Sequence, residues 1–558
     1  MVLKLFSALF LALIVWGRTL NVAAEDDDEI AWWKTSNYYQ IYPKSFQDST
    51  GNGTGDLVGI TERLPYLKEI GIDATWLSPI FKSPMVDNGY DISDFRTIDP
   101  MFGSQTDFDK LIEKAEKLGI KIILDFVPNH SSDQHDWFKK SVEREGGYEN
   151  FYVWHDGIPD KNNESNRLPP NNWRSVFGGS AWTWNEKRKQ FYYHQFYKEQ
   201  PDLNFRNSEV KKEMEAVLIH WLNRGVHGFR IDAVPHIFED KDFRDEPVIP
   251  NVDPEDYASL DHIYTYDQDE TFEIIYEWRD TLDKFTKLKG GDDRILLAET
   301  YSPLEKKMKY YGANGKKGAH FPFNFLLLNL NENSTASEYV SCVLQWTDAM
   351  PEGETANWVL GNHDKPRVVN RVGRDKANLL NIFMLSLPGI TVTYYGEEIG
   401  MENIELPESY YIQDVRDAER SPMQWNDNES AGFTKSLKPW LPVSPDFKYR
   451  NVKKQRQRPL SNLNQFKFMT ELRAKYNFFD SAFLIDVENE SVVNVTRASR
   501  IELLFNVGTT PQEIAQNYRN HSKVLFVNEH SKRRIGDVIP ANRTMLYPNE
   551  VLVLEKHY

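Results

Sequence analysis

Three stretches of the chain repeat one grammar, and that repeat restricts the fold more than any other feature. From Gly59, the residues Ile60, Leu64, Leu67 and Ile70 fall on one helical face, Gly71 ends the helix, and 72–77 reads as a strand. Phe108, Leu111, Ile112, Ala115 and Leu118 form the next stripe; Gly119 stops it, and 120–124 runs into Asp125. Val210, Met214, Val217, Leu218 and Trp221 make the third, followed by Gly225 and a strand over 226–231 that ends at Asp232. Helices alternating with short buried strands require a parallel sheet with right-handed crossovers. Further strands fit 38–42, 295–298, 319–323, 358–360 and 389–395. A total near eight favours a closed barrel, so the expected fold class is α/β, a (β/α)8 TIM barrel.

Two segments leave this rhythm. Residues 126–203 are rich in Asn, Trp, Tyr, Gly and Pro without clean periodicity, which reads as an inserted domain after strand 3, overhanging the active-site face. After about Asp480 come short β-like runs at 491–495, 501–507, 523–527 and 551–554, separated by turn residues, as in a C-terminal antiparallel β-domain. The expected layout is a signal peptide over 1–24, barrel over 25–125, insert over 126–203, barrel again over 204–480, and the β-domain over 481–558.

The first 25 residues carry Lys4, an apolar run from Leu5 to Trp16, and small residues at Val22, Ala23 and Ala24, the layout of a signal peptide. No later segment approaches the roughly 20 apolar residues of a membrane span, and residues 551–558 lack the long hydrophobic tail of a lipid-anchor signal. A secreted, extracellular product is expected. Acceptor triplets for N-glycosylation begin at Asn52, Asn163, Asn333, Asn428, Asn489, Asn494, Asn520 and Asn542, in keeping with secretion. Cys342 is the only cysteine, so no intrachain disulfide forms. The net charge of -17 disfavours nucleic acid and anionic lipid as partners.

Barrel enzymes carry their chemistry at the C-terminal ends of strands, and four acids stand there: Asp125, Asp232, Glu299 and Asp364. Double displacement at a glycosidic bond needs two carboxyl groups roughly 5–5.5 Å apart, one ionised to attack and one protonated for the departing oxygen. Arg230, two residues before Asp232, points to the same side of its strand and is expected to keep that carboxylate ionised. Glu299 follows the apolar run 295–298, so burial and negative neighbours should raise its pKa. The histidines His135, His155, His194, His227 and His236 have no metal-ligand spacing.

Four stretches resemble the signatures of glycoside hydrolase family 13, the α-amylase superfamily: Asp125-Phe126-Val127-Pro128-Asn129-His130, 228–232, Ala298-Glu299-Thr300, and Asn362-His363-Asp364. The resemblance implies Asp232 as nucleophile, Glu299 as acid/base catalyst, and Asp364 as the third carboxylate, which holds the sugar hydroxyls. It also implies that Asp91, with Tyr90 in the Gly89-Tyr90-Asp91 loop, and His130, Arg230 and His363 bind the glucose unit that is cleaved off. Gln200-Pro201-Asp202-Leu203-Asn204 is similar to the fifth signature of the maltase and oligo-1,6-glucosidase branch, and Arg420, in Arg420-Ser421-Pro422-Met423-Gln424-Trp425, matches a glucose-binding Arg of that branch. Exo-action on a small oligosaccharide or disaccharide such as maltose or sucrose follows. The segment 48–56 resembles the calcium loop of family relatives, which implies a structural calcium at Asp48 and Asp56, although Thr50 and Asn52 replace stronger ligands. No cofactor is required for the chemistry itself.

The resulting expectation is a secreted, retaining α-glucosidase. Two alternatives share the scaffold. One is a transglucosylase, in which a sugar hydroxyl resolves the glucosyl intermediate. The other is a non-catalytic binding or receptor role, as in transporter heavy chains that keep the barrel and lose the acids; here all three acids are present. Nothing in the sequence specifies an oligomeric state.

Overall fold

The computed structural model describes residues 30–161, 163–407, 414–515, 521–540 and 543–556; the signal segment 1–24 lies outside them. Eight parallel strands build the barrel: β1 (Asn37–Ile41), β2 (Ala74–Leu77), β3 (Lys121–Phe126), β4 (Gly228–Ile231), β5 (Ile295–Ala298), β6 (Phe321–Pro322), β7 (Asn357–Val359) and β8 (Ile390–Tyr394). Their order is β6-β5-β4-β3-β2-β1-β8-β7. The seam between β6 and β7 is bridged by a side chain: Asn357 donates its amide to the Pro322 carbonyl at 2.7 Å and accepts the Asn324 backbone N–H at 2.8 Å. Pro322 has no N–H to offer a ladder, and the strand expected over 319–323 is only two residues long.

The helical stripes pack as their periodicity dictates. In α1 (Leu57–Glu69) and α2 (Gln105–Leu118) the buried residues include Ile60, Leu64, Leu67, Phe108 and Leu111, each contributing about 1.5–3 kcal/mol of apolar burial. A capping box of Ser104 and Asp107 opens α2, and Gly119, at φ 66°, closes it in the left-handed region. Strand β2 starts two residues later than expected because the Ile72 N–H turns back to the Leu67 carbonyl at 3.0 Å.

The segment after β3 contains the helix Asp136–Glu143 and a three-stranded sheet of Trp154–His155, Gln190–Tyr193 and Trp182–Asn185. Its own small core comprises Val153, Trp173, Ala181, Trp182, Phe191 and Tyr193. It rejoins the barrel where the Leu203 N–H meets the Asn129 carbonyl at 2.9 Å. Toward the C-terminus, six antiparallel strands, Phe483–Asn489, Val492–Arg497, Ile501–Asn506, Val551–Lys556, Ser522–Val527 and Val538–Ile539, form one sheet in that spatial order. Among the described residues no helix is long and apolar enough to cross a membrane.

Candidate active site

Alternation along β4 places Arg230 on the same side as Asp232, and the ladder sets Arg230 beside Asp125 of β3. Backbone pairing continues one step past the strand ends, with Asp232 N–H on the Phe126 carbonyl at 2.9 Å and Glu299 N–H on the Ile231 carbonyl at 3.0 Å. Both carboxylates therefore stand at the C-terminal mouth of the barrel.

Arg230 is the hub. Its Nη1 ion-pairs with Asp125 at 2.9 Å and with Asp232, while Nη2 reaches Glu299 at 2.6 Å. Its guanidinium lies 4.7 Å from the Trp76 ring centre. One cation thus faces three buried carboxylates and divides its pull among them. Burial pushes the Asp232 carboxyl up, Arg230 pulls it back, and the charges of Asp125 and Asp364 push it further up. Burial likewise raises Glu299, opposed by Arg230 and reinforced by Asp232 and Asp364.

Asp364 is the opposite case. Arg416 and Arg420 contact its Oδ1 at 2.8 and 3.1 Å. Burial pushes its carboxyl up, but His363, Arg416, Arg420 and Arg230 together hold it well below the usual carboxylate range. Burial brings His363 down to about 3 and His130 down to about 4, so both rings are neutral near pH 7. Tyr90 stacks on His363 with ring centres 5.2 Å apart and donates its hydroxyl to Asp125 at 3.0 Å. His130 Nε2 lies 3.0 Å from the Tyr90 carbonyl oxygen, and Arg420 Nε donates to the His363 carbonyl at 2.9 Å.

Asp232, Glu299, Asp364, Tyr90, His130, Arg230, His363 and Arg420 are thus brought together, and Asp91 is not. The Asp91 carboxylate is buried and accepts from Ser83 Oγ at 2.9 Å, Val86 N–H at 2.9 Å and Asp87 N–H at 3.0 Å. It folds the loop and is fully buried beneath it. The residue it positions, Asp87, faces the site instead, contacting Arg416 at 3.1 Å and accepting from Gln200 at 3.1 Å. Sequence reasoning missed Asp87, three residues before Tyr90, and Arg416, four before Arg420; their signal was proximity to residues already singled out. It also missed two aromatic pairs. Phe177 stacks on Tyr197 at 3.9 Å beside the Arg416 guanidinium, and Tyr301, 45% exposed two residues after Glu299, stacks on Phe325 at 4.5 Å.

The residues of the implied calcium loop do not fit a calcium ion as arranged. Asp48 accepts from the N–H groups of Thr50, Gly51 and Gly53 and from the Thr50 and Thr434 hydroxyls. Asp56 caps α1 through the Gly59 N–H at 2.7 Å and holds the Ser49 N–H and hydroxyl. Asp48 is saturated by the chain's own donors and Asp56 is largely taken up by them, whereas calcium needs six to eight free oxygens. Among the described residues no three His, Cys, Asp or Glu side chains gather to hold a metal. Asn129 is buried and donates to Asp202 at 2.9 Å, out of reach of a glycan.

Comparison with known proteins was consistent with this geometry. Residues 40–482 match the model of the alpha amylase catalytic domain. The chain is 48% identical to Maltase A2 of Drosophila melanogaster, over 96% of this chain and 97% of that protein. It is 46% identical to a salivary alpha-glucosidase of Aedes aegypti, over 94% and 93% of the two chains. Among solved structures, an alpha-glucosyl transfer enzyme superposes with a TM-score of 0.83 at 32% identity, covering 95% of this chain and all of that one.

Proposed function

The chain belongs to the alpha-amylase catalytic-domain family and is a glycoside hydrolase acting as an α-glucosidase, and we propose that it is a secreted, retaining enzyme that releases α-glucose from the non-reducing end of short α-glucosides. The observation that carries the reading is Arg230, whose two terminal nitrogens touch Asp232 and Glu299. A single guanidinium touching both carboxylates brings them to one side of the barrel mouth, which supports the pairing of a nucleophile and an acid/base group that a double displacement needs.

Asp232 attacks the anomeric carbon; Glu299 gives its proton to the leaving oxygen and then takes one from water. Asp364, fully ionised between Arg416 and Arg420, accepts from sugar hydroxyls and stabilises the positive charge that develops on the ring. Asp87, His130, His363 and Arg420 complete the pocket for the glucose unit, and Tyr301 with Phe325 flanks the acid/base side, where the leaving sugar departs. Hydrolysis rather than glucosyl transfer as the main outcome is supported by the 48% identity to a maltase against 32% to a transfer enzyme. Secretion is supported by the signal-peptide layout and by acceptor asparagines Asn52, Asn333 and Asn428, which are exposed; the side chain of Asn163, and Asn520 and Asn542, lie outside the described residues.

The test is product analysis with maltose, isomaltose, sucrose and starch. Glucose from the disaccharides, with starch nearly inert and transfer products minor at high substrate, is the expected outcome. Glucosyl-extended sugars as the main product would make the enzyme a transferase. Recovery from culture medium with an N-terminus near Glu25 tests secretion, and retention of Met1 on exported protein would refute it.

A further inference from the structure

Lys44 is a buried cation that the reaction does not use. It sits in the short helix Pro43–Phe46, directly after β1, and is only 8% exposed. Among the described residues it has no ion pair. Its ammonium lies 3.9 Å from the centre of the Trp440 ring and donates to Asn88 Oδ1 at 2.7 Å. Burial brings its pKa down to about 8, with the charges of Asp417 and Asp91 opposing. A methionine would fill the same space without taking an ammonium out of water, a step that is unfavourable unless its partners repay it.

The partner is a tight turn of the active-site loop. The Tyr90 N–H donates to the Asp87 carbonyl at 3.0 Å, and the two residues between them, Asn88 at φ 50° and Gly89 at φ 108°, both take positive φ. Glycine does so freely and asparagine only with support, so Asn88 needs an anchor. Its side chain is held at both ends, with Oδ1 on Lys44 and Nδ2 facing Asp417 Oδ1 at 3.5 Å. Asp87 opens this turn and Tyr90 closes it. Tyr90 has fixings of its own, the hydroxyl on Asp125 and the ring on His363. The Asp87 carboxylate reaches only Arg416 and Gln200, on other segments, so its direction within its own turn depends on the residue that follows it.

We infer that Lys44 is a positioning residue for Asp87: its ammonium, held between Trp440 and Asn88, fixes the turn that aims the Asp87 carboxylate into the glucose pocket. This role rests on the assignment of Asp87 to that pocket. Because Asp87 meets the sugar away from the bond that breaks, its displacement weakens substrate and transition state alike and shows in KM rather than kcat.

The test is a double-mutant cycle on the full chain, with kcat and KM for maltose measured for Lys44→Met, Asp87→Asn and the pair. Lys44→Met should lower kcat/KM by about tenfold, the scale of weakening one charged hydrogen bond, mainly by raising KM. In the Asp87→Asn background it should add nothing, because the group it aims has already lost its charge. Asn88→Gly keeps the positive φ and removes the anchor; it should reproduce both results and serves where Lys44→Met does not fold. Losses that add in the double variant, or a fall in kcat with KM unchanged, would make Lys44 a merely structural residue and overturn the proposal. Unchanged kcat/KM in Asp87→Asn alone would instead refute the place of Asp87 in the pocket, and this role with it.

Discussion

Arg230 joins Asp232 to Glu299, with one terminal nitrogen on each. The same guanidinium also pairs with Asp125, so the charge balance of the active site rests on one buried cation. Arg230→Lys should therefore lower kcat by about 10²–10³, the scale of losing a preorganised donor. Lysine keeps a charge but has one nitrogen, which cannot touch all the carboxylates that Arg230 touches, so less of the lowering reaches Asp232 and the acid limb of the rate profile should move to higher pH. A profile displaced to lower pH would contradict this role.

The wild-type profile itself should be bell-shaped and lie above the range of an unperturbed carboxylate pair. Activity requires Asp232 ionised and Glu299 protonated, and burial raises both. The rate falls on the acid side as Asp232 gains its proton and on the alkaline side as Glu299 loses its own. Measuring kcat/KM against pH checks this, and an optimum near pH 4 would refute the raised pair.

Asp87 and Asp91 separate binding from folding. Asp87→Asn should reduce kcat/KM by about 10- to 100-fold, the loss of a charged hydrogen bond to sugar, with little change in Tm. Asp91→Asn removes the charge from an acceptor of three buried donors and should cost about 1–3 kcal/mol of stability, seen as a lower Tm. A thermal melt and a Michaelis plot on both variants decide it, and the reverse pattern would restore Asp91 as the sugar ligand.

That exchange marks how far the sequence could be read. The repeated stripes gave the barrel because a 3.6-residue period followed by a glycine has few other solutions, and Asp232 and Glu299 were legible because strand ends are where barrel chemistry sits. Asp87 and Asp91 are both loop carboxylates. Only the side-chain geometry shows that one faces inward on its own backbone N–H groups and the other faces Arg416. The sharing of Arg230 among three acids was equally hidden, since Asp125 and Glu299 become its neighbours only through strand register.

The loop at Asp48 and Asp56 gives a further test. With Asp48 saturated and Asp56 engaged by backbone and hydroxyl donors, chelation should leave Tm and activity unchanged. Asp48→Asn should lower Tm, because Thr434, Gly53, Gly51 and Thr50 donate to a carboxylate that they hold below its ordinary pKa against the effect of burial. That contribution is present above the ordinary carboxylate pKa and fades as pH falls through the depressed value. A chelator-induced drop in Tm would show that calcium binds the loop after all.

Covalent catalysis separates the two carboxylates. Asp232→Asn should cut turnover of every substrate by more than about 10⁴-fold, as removal of a nucleophile does. Glu299→Gln should hurt least with a glucoside whose leaving group needs no proton, and azide should rescue that variant to give glucosyl azide of retained configuration. Rescue with inversion in the Glu299 variant would overturn both roles.

The most direct test is the anomeric form of the first glucose released, followed by proton NMR before mutarotation sets in. Two displacements, Asp232 on the glucoside and then water on the glucosyl intermediate, predict the α-anomer. The β-anomer as first product would mean a single displacement by water and would contradict the assignment of Asp232 as nucleophile.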